Sequence, residues 1–226
     1  MKAVLFDYGG TLDSDGIPWL DRFYPLYAQA GLSVSWEDFR SAFYDSDDHL
    51  PERFRLDGLG LERTVALQTA CVVERLAPGR DEVSRTVTRR FVESSREHLR
   101  RNRPLLEGLR RRFRLGIVSN FYGNLEAVIA AEGLGPLFDV VADSRRIGAS
   151  KPDKEIFLHA ARALGVQPQE ALMVGDSLSR DMRGAEAAGM PHAWLAGARP
   201  DAQPCCPKTP VLRTLLDMET HIGQCA

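Results

Sequence analysis

The sequence predicts an α/β fold: five parallel strands covered by helices on both faces, with a long helical segment inserted after the first strand. Three observations predict it. Apolar runs at residues 3–6, 113–118, 138–142, 171–174 and 192–195 have the length and composition of buried strands. From about residue 104 these runs alternate with helical segments, and glycines at 133, 165 and 189 stand where those helices should stop. Residues 14–103, in contrast, carry helical periodicities and no strong strand pattern.

Val4-Leu5-Phe6 ends at Asp7, and Gly9-Gly10 follow at once. That is a buried strand delivering a carboxylate to its carboxyl end, followed by a tight turn. Trp19, Phe23, Leu26, Tyr27 and Ala30 then recur at helical spacing, with Pro25 as a kink and Gly31 as a stop. Ser35 followed by Glu37 and Asp38 starts a capped helix that should run to about Tyr44. Residues 61–77 form a third helix, ended by Pro78-Gly79. Asp81 caps a fourth, whose stripe of Val83, Val87 and Phe91 reaches Leu99. Beyond it, helices are expected at 104–112, 122–132, 153–164 and 179–188. Residues 198–210 read as a loop and 211–219 as a last short helix. The expected division is an α/β unit of residues 1–13 and 104–226 and a helical unit of residues 14–103.

Composition narrows the function classes. The chain has 226 residues, 44% hydrophobic and 27% charged, which is ordinary for a globular protein. A net charge of −2 gives no global pull toward nucleic acid or an anionic membrane. The basic run Arg110–Arg114 more simply straddles a helix end, where cations favour the dipole. Cys71, Cys205, Cys206 and Cys225 form no CxxC pair, so they read as reduced thiols and not as a zinc site. No signal-peptide pattern and no membrane-length apolar run is present, so a cytoplasmic protein is expected, monomeric or homodimeric.

Four strands end in groups suited to phosphate chemistry. The first gives Asp7, and the second gives Ser119-Asn120. Lys151 follows the third in Ser-Lys-Pro-Asp, and the fourth gives Asp176 with Asp181 five residues on. In a parallel sheet these carboxyl ends share one edge. A phosphate monoester repels a carboxylate, and magnesium between them removes that obstacle, taking one or two carboxylates with waters and substrate oxygen. Asp7 and Asp176 are the candidate ligands. Ser119 can donate to phosphoryl oxygens, Lys151 can neutralise the charge of the transferring group, and Asp181 can orient Lys151 or a metal water.

In order, Asp7-Tyr-Gly-Gly-Thr-Leu, Val118-Ser119-Asn120, Ser150-Lys151-Pro152-Asp153 and Gly175-Asp176-Ser-Leu-Ser-Arg-Asp181 resemble the four motifs of the haloacid dehalogenase superfamily. The resemblance covers residues 1–13 and about 104–197. It implies a Rossmann-like core with a helical cap inserted after the first strand. It also implies Mg²⁺-dependent hydrolysis of a small phosphomonoester, with Asp7 forming an aspartyl-phosphate. Asp7, the Gly9 carbonyl and Asp176 would hold the metal, with Asp181 behind them. Gly10, Thr11, Ser119, Asn120 and Lys151 would surround the phosphate.

The family usually places an acid/base aspartate where this chain has Gly9. Its absence points to a slow or specialised phosphatase, or to a phosphate-ligand-binding or scaffold protein. A metal-independent haloacid dehalogenase is a further alternative, against which Gly175-Asp176 and Asp181 argue for metal. A Schiff-base phosphonate hydrolase needs a cap lysine, and residues 14–103 contain none. Asp13 and Asp15 are candidate substitutes for the missing carboxylate, although turn-forming or exposed roles are commoner. Asp47-Asp48-His49 can touch substrate or end a helix in solvent. Trp19, Phe23, Tyr24 and Tyr44 can line a pocket, and Arg22, Arg53 and Arg55 can hold a second anion; helical spacing and surface pairing are the plainer readings.

Overall fold

The computed structural model describes residues 1–199, 203–204 and 209–224. The first strand, β1, spans Ala3–Phe6, and a wide turn over Tyr8–Leu12 follows it. Four helices come next: α1 (Trp19–Gln29), α2 (Trp36–Arg53), α3 (Leu61–Leu76) and α4 (Asp81–Arg110). Alternation then sets in with β2 (Arg114–Ser119), α5 (Leu125–Ala131), β3 (Val140–Asp143), α6 (Ser144–Ile147) and α7 (Lys154–Ala163). The chain continues through β4 (Ala171–Gly175), a turn at Leu178–Met182, α8 (Arg183–Ala187) and β5 (His192–Leu195). It closes with β6 (Val211–Leu212) and α9 (Met218–Gln224).

The sheet is parallel throughout, in the order β3-β2-β1-β4-β5-β6. It has six strands where five were expected. Val211–Leu212, expected to open the last helix, pairs instead with Trp194 and Leu195. This pairing satisfies edge groups of β5: Trp194 N donates to Pro210 O at 2.8 Å and Ala196 N to Leu212 O at 2.9 Å. β1 lies between β2 and β4, so the connections leave it in opposite directions. That is the switch point where open α/β sheets form a crevice.

Alternate strand residues build two cores. Val4, Phe6, Ile117 and Val174 face a large cluster shared with α1, α4, α5 and α9. Ala3, Leu5, Val118 and Met173 face a smaller cluster with α7 and α8. The large cluster runs without a break from the sheet into α1–α4.

Two of the three proline-bearing helices behave differently from expectation. α1 runs through Pro25 and ends just before Gly31, where a stop was expected, but α2 continues past Tyr44, through Pro51, to Arg53. α4 is one helix of 30 residues, so 104–112 is not a separate element and the expected boundary at residue 103–104 falls inside it. An interior proline costs about 3 kcal/mol or more. Leu99, Leu105, Leu106 and Leu109 are all buried along α4, and burying each contributes about 1.5–3 kcal/mol, so packing prevails. Cys71 is buried and free; Cys205, Cys206, Cys225 and Lys208 lie outside the described residues. Among the described residues no helix is long and apolar enough to cross a membrane.

Candidate active site

Asp7 sits one residue beyond β1, its backbone N–H bonded to Val174 O at 2.9 Å. Only 5% of the residue is exposed. Its Oδ1 accepts from Tyr8 N, from Ser119 Oγ and from Lys151 Nζ, each at 2.7 Å. Ser119 arrives because β2 pairs with β1 and ends at that residue. Lys151 arrives on the loop before α7, whose backbone is clamped by Asn120. The Asn120 side chain donates to Lys151 O at 3.1 Å and accepts from Lys151 N at 2.7 Å. Asn120 thus positions the lysine, and its amide is already engaged.

Asp181 takes the other side of the lysine, with Oδ1 2.6 Å from Nζ, while Ser177 N donates to its Oδ2 at 2.9 Å. Burial works against the Lys151 charge, yet Asp181 and Asp7 raise its pKa above the ordinary lysine value. Burial raises Asp181 in turn, against the pull of Lys151.

Asp176 is the group left over. It is 1% exposed. Thr11 Oγ1 donates to its Oδ1 at a long 3.3 Å, and among the described residues its buried Oδ2 has no partner. Burial, with Asp181 and Asp7 close by, pushes its pKa up to about 8. Asp7, Asp176 and Asp181 each offer an oxygen within 4.8 Å of the others. A buried carboxylate normally has a partner. The three clustered carboxylates offer the oxygen ligands that a hard divalent cation such as magnesium would accept. Gly10 makes the approach possible. Its φ is +89°, and a Cβ there would lie 2.8 Å from the Asp176 carboxylate.

A cavity of about 330 Å³ lies over this edge. Asp7, Gly9, Ser119, Lys151 and Arg180 line it from the sheet side, and Trp19, Phe43, Tyr44 and Asp47 from α1 and α2.

The family model for haloacid dehalogenase-like hydrolases matches residues 1–189. The chain belongs to that family. A glyceraldehyde 3-phosphate phosphatase from Methanothermobacter thermautotrophicus is 35% identical over 202 residues, covering 84% of this chain and 83% of that one. The mouse haloacid dehalogenase-like hydrolase domain-containing protein 3 is 41% identical over 96 residues, 42% of this chain. That match spans only 38% of the mouse protein's length. The crystal structure of a HAD phosphatase from Thermococcus onnurineus superposes with a TM-score of 0.59 at 30% identity, covering 99% of this chain and 98% of that one.

Within this HAD-family site, position 9 is closed as well as bare. A Cβ on Gly9 would lie 3.0 Å from Trp19 Nε1 and 3.2 Å from Trp19 Cδ1. The indole is fixed there, because Nε1 donates to Asp13 Oδ2 at 2.8 Å. Neither downstream aspartate is free to replace the missing group. Asp13 is fully buried and also accepts from Gly10 N, Arg22 Nη1 and Ser95 Oγ. Asp15 is engaged by Arg101 Nη2 at 2.7 Å and by Leu215 N at 3.4 Å.

The remaining sequence candidates divide. Trp19 and Tyr44 line the cavity, whereas Phe23 is core and Tyr24 bonds Val34 O. Arg22 is the buried partner of Asp13, while Arg53 and Arg55 pair with Glu74 and Asp57 on the surface. Arg110 forms a two-pronged pair with Asp139, and Arg112 stacks on Phe113. Asp47 lines the cavity, with Gln68 and Tyr122 bonded to its Oδ1.

Sequence reading missed three residues. Asp143 ends β3 and accepts from Gly123, Leu125 and Arg145 N–H groups, shaping the loop after Ser119. Its place at a strand end was a usable signal. Arg180 stands inside the fourth motif, next to Asp181, and Tyr122 lies two residues past Asn120 with no further signal.

Proposed function

We propose that the protein is a magnesium-dependent phosphatase acting on a small phosphomonoester through an aspartyl-phosphate on Asp7. The observation that carries this is the Asp176 carboxylate, buried beside Asp7 at the sheet edge with its Oδ2 unpartnered among the described residues. The two phosphatase relatives named above support the substrate class.

All three donors to Asp7 fall on Oδ1. They fix the carboxylate plane, so Oδ2 attacks phosphorus from a set direction. Lys151 stabilises charge on the transferring phosphoryl group, and Asp181 and Asn120 hold its ammonium and backbone in place. Nearby backbone N–H groups, with Gly10 opposite, receive the phosphoryl oxygens, and the Ser119 and Thr11 hydroxyls join them once they turn from the carboxylates they now bond. Asp7, the Gly9 carbonyl and Asp176 would hold magnesium, which when bound neutralises the approaching charges and polarises the phosphoryl group. Residues 14–103 serve as a cap. Their helices exclude water from the cavity and supply the contacts to the leaving group.

The Trp19 indole over Gly9 favours a second reading, a phosphate-ligand binder with little turnover. A panel of phosphomonoesters with and without magnesium separates the two. Metal-dependent release of phosphate by the wild type, lost by about 10⁴-fold or more in Asp7→Asn, is the expected result. Full activity in Asp7→Asn would refute the nucleophile assignment, and phosphate binding without turnover would favour the binder.

A further inference from the structure

A phosphomonoester with an alkyl leaving group needs a proton on the departing oxygen. Position 9 cannot supply it, and Asp13 and Asp15 are held elsewhere. The carboxyls lining the cavity are Asp7, Asp21 and Asp47. Asp21 is exposed at the start of α1. Asp47 is different. Both of its hydrogen bonds, from Tyr122 Oη and Gln68 Nε2, fall on Oδ1. Among the described residues nothing bonds Oδ2.

Burial raises the pKa of Asp47; Tyr122 works against this, Asp48 adds to it, and Arg180 lowers it. The groups around the carboxyl are therefore Asp48 on its own helix, Gln68 of α3, Tyr122 after β2 and Arg180 after β4. Arg180 also lies within electrostatic reach of Asp7. Arg180, Asp7 and Asp47 all line the one cavity.

We propose that Asp47 is the general acid and base of this reaction, acting from α2 in place of a side chain at position 9. This rests on Asp7 being the nucleophile. In the first step Asp7 forms a bond to phosphorus, and the bond from phosphorus to the leaving oxygen breaks. The Asp47 proton passes to that oxygen, and an alcohol departs. In the second step water attacks phosphorus, its proton returns to Asp47, and the bond to Asp7 breaks to release inorganic phosphate. The leaving group packs against Trp19, Phe43 and Tyr44, so a compact and partly apolar alcohol fits best.

The test compares wild type, Asp47→Asn and Tyr122→Phe with magnesium on glycerol 3-phosphate, phenyl phosphate and 4-nitrophenyl phosphate. In Asp47→Asn, kcat/KM on glycerol 3-phosphate should fall by about 10²–10⁴. On 4-nitrophenyl phosphate, whose leaving group needs no proton, kcat/KM should stay within about tenfold. Rapid mixing should then show one equivalent of nitrophenol released before a slow steady state, because the second step has lost its base. The alkaline fall of kcat/KM on glycerol 3-phosphate should vanish in Asp47→Asn. It should move to higher pH in Tyr122→Phe, which removes a bond that holds the Asp47 pKa down.

Equal losses on all three substrates, or no loss on any, would overturn the role of Asp47 while leaving the site assignment intact. A wild type that binds inorganic phosphate but turns over none of the three with magnesium would favour the binder reading and overturn the phosphatase reading and this inference together. Tyr122→Phe keeps the carboxyl in place, so it remains informative if Asp47→Asn folds poorly.

Discussion

Asp13 and Asp176 are both aspartates buried almost completely, and their surroundings are opposite. Asp13 accepts four hydrogen bonds, from Gly10 N, Trp19 Nε1, Arg22 Nη1 and Ser95 Oγ. Asp176 accepts one long bond, has one oxygen with no partner, and faces two further carboxylates. A buried charge with all its partners ties elements together, here the β1 turn to α1 and α4. A buried carboxyl without them has its pKa lifted and keeps an oxygen open to a ligand. The two carboxylates, one closing the β1 turn and one following β4, thus divide the work. Asp13 holds the turn in place so that Gly10 and Thr11 can meet Asp176.

Removing the satisfied carboxylate should have the larger effect on stability. Asp13→Ala strips the partner from Arg22, which is 8% exposed at its side chain, and from the Trp19 indole. Breaking one side of such a buried pair typically costs about 3–5 kcal/mol. Urea unfolding should show a loss of that size with an unchanged denaturant slope. A loss below about 1 kcal/mol would mean that Asp13 does not organise the turn.

Removing the unsatisfied carboxylate should have the opposite sign. Burial lifts the folded-state pKa of Asp176 to about 8. Without metal, the folded protein therefore keeps a proton that the unfolded chain releases. The favourable contribution is complete below the ordinary carboxylate range and is lost as pH rises to about 8. Metal-free wild type should lose stability across that window. Metal-free Asp176→Asn should be more stable than wild type at pH 8, by several degrees in Tm, and less sensitive to pH. Magnesium should raise the wild-type Tm more at pH 8 than at pH 6 and leave the variant unmoved. An equal magnesium shift in both proteins would place the cation elsewhere.

The same contrast explains what could be read from the chain. Asp7, Ser119 and Asp176 were legible because each ends or directly follows an apolar run that is a strand by itself, and parallel strands align their ends; Lys151, eight residues past β3, was legible from its Ser-Lys-Pro-Asp motif. The role of Asp13 was hidden, because its partners Arg22 and Ser95 come from α1 and α4, up to 82 positions away. Asp47 was ambiguous for the same reason. The polar run Asp45–His49 carries no mark of which member turns inward, and Tyr122 lies 75 positions on. α4 was cut at Pro104 because local propensity disfavours a helix there. The buried leucines that override it are explained only by a sheet the helix has not yet met in sequence. The sixth strand is two residues long, too short for any period to show.

The smallest expected effect falls on Gly9, where the two kinds of carboxylate meet. Its φ of −74° suits any residue, so backbone strain does not keep it glycine. Space does, because a Cβ would press on an indole that Asp13 holds by a hydrogen bond. The contact of 3.0 Å needs a shift of only a few tenths of an ångström. Gly9→Ala should therefore cost about 1 kcal/mol, at the low end of overpacking. Gly9→Asp should cost somewhat more and change turnover of an alkyl phosphate less than tenfold, since the new carboxylate has no room to swing toward the leaving oxygen. Trp19→Leu removes that wall. In that background the added aspartate should raise turnover well above the Trp19→Leu single variant. The quantity to measure is the coupling between the two sites in kcat/KM on glycerol 3-phosphate. If Gly9→Asp alone accelerates the wild type by a hundredfold or more, Trp19 is not the barrier. The bare position would then be a missing group in an open site, and the satisfied Asp13 would have no bearing on the chemistry beside Asp176.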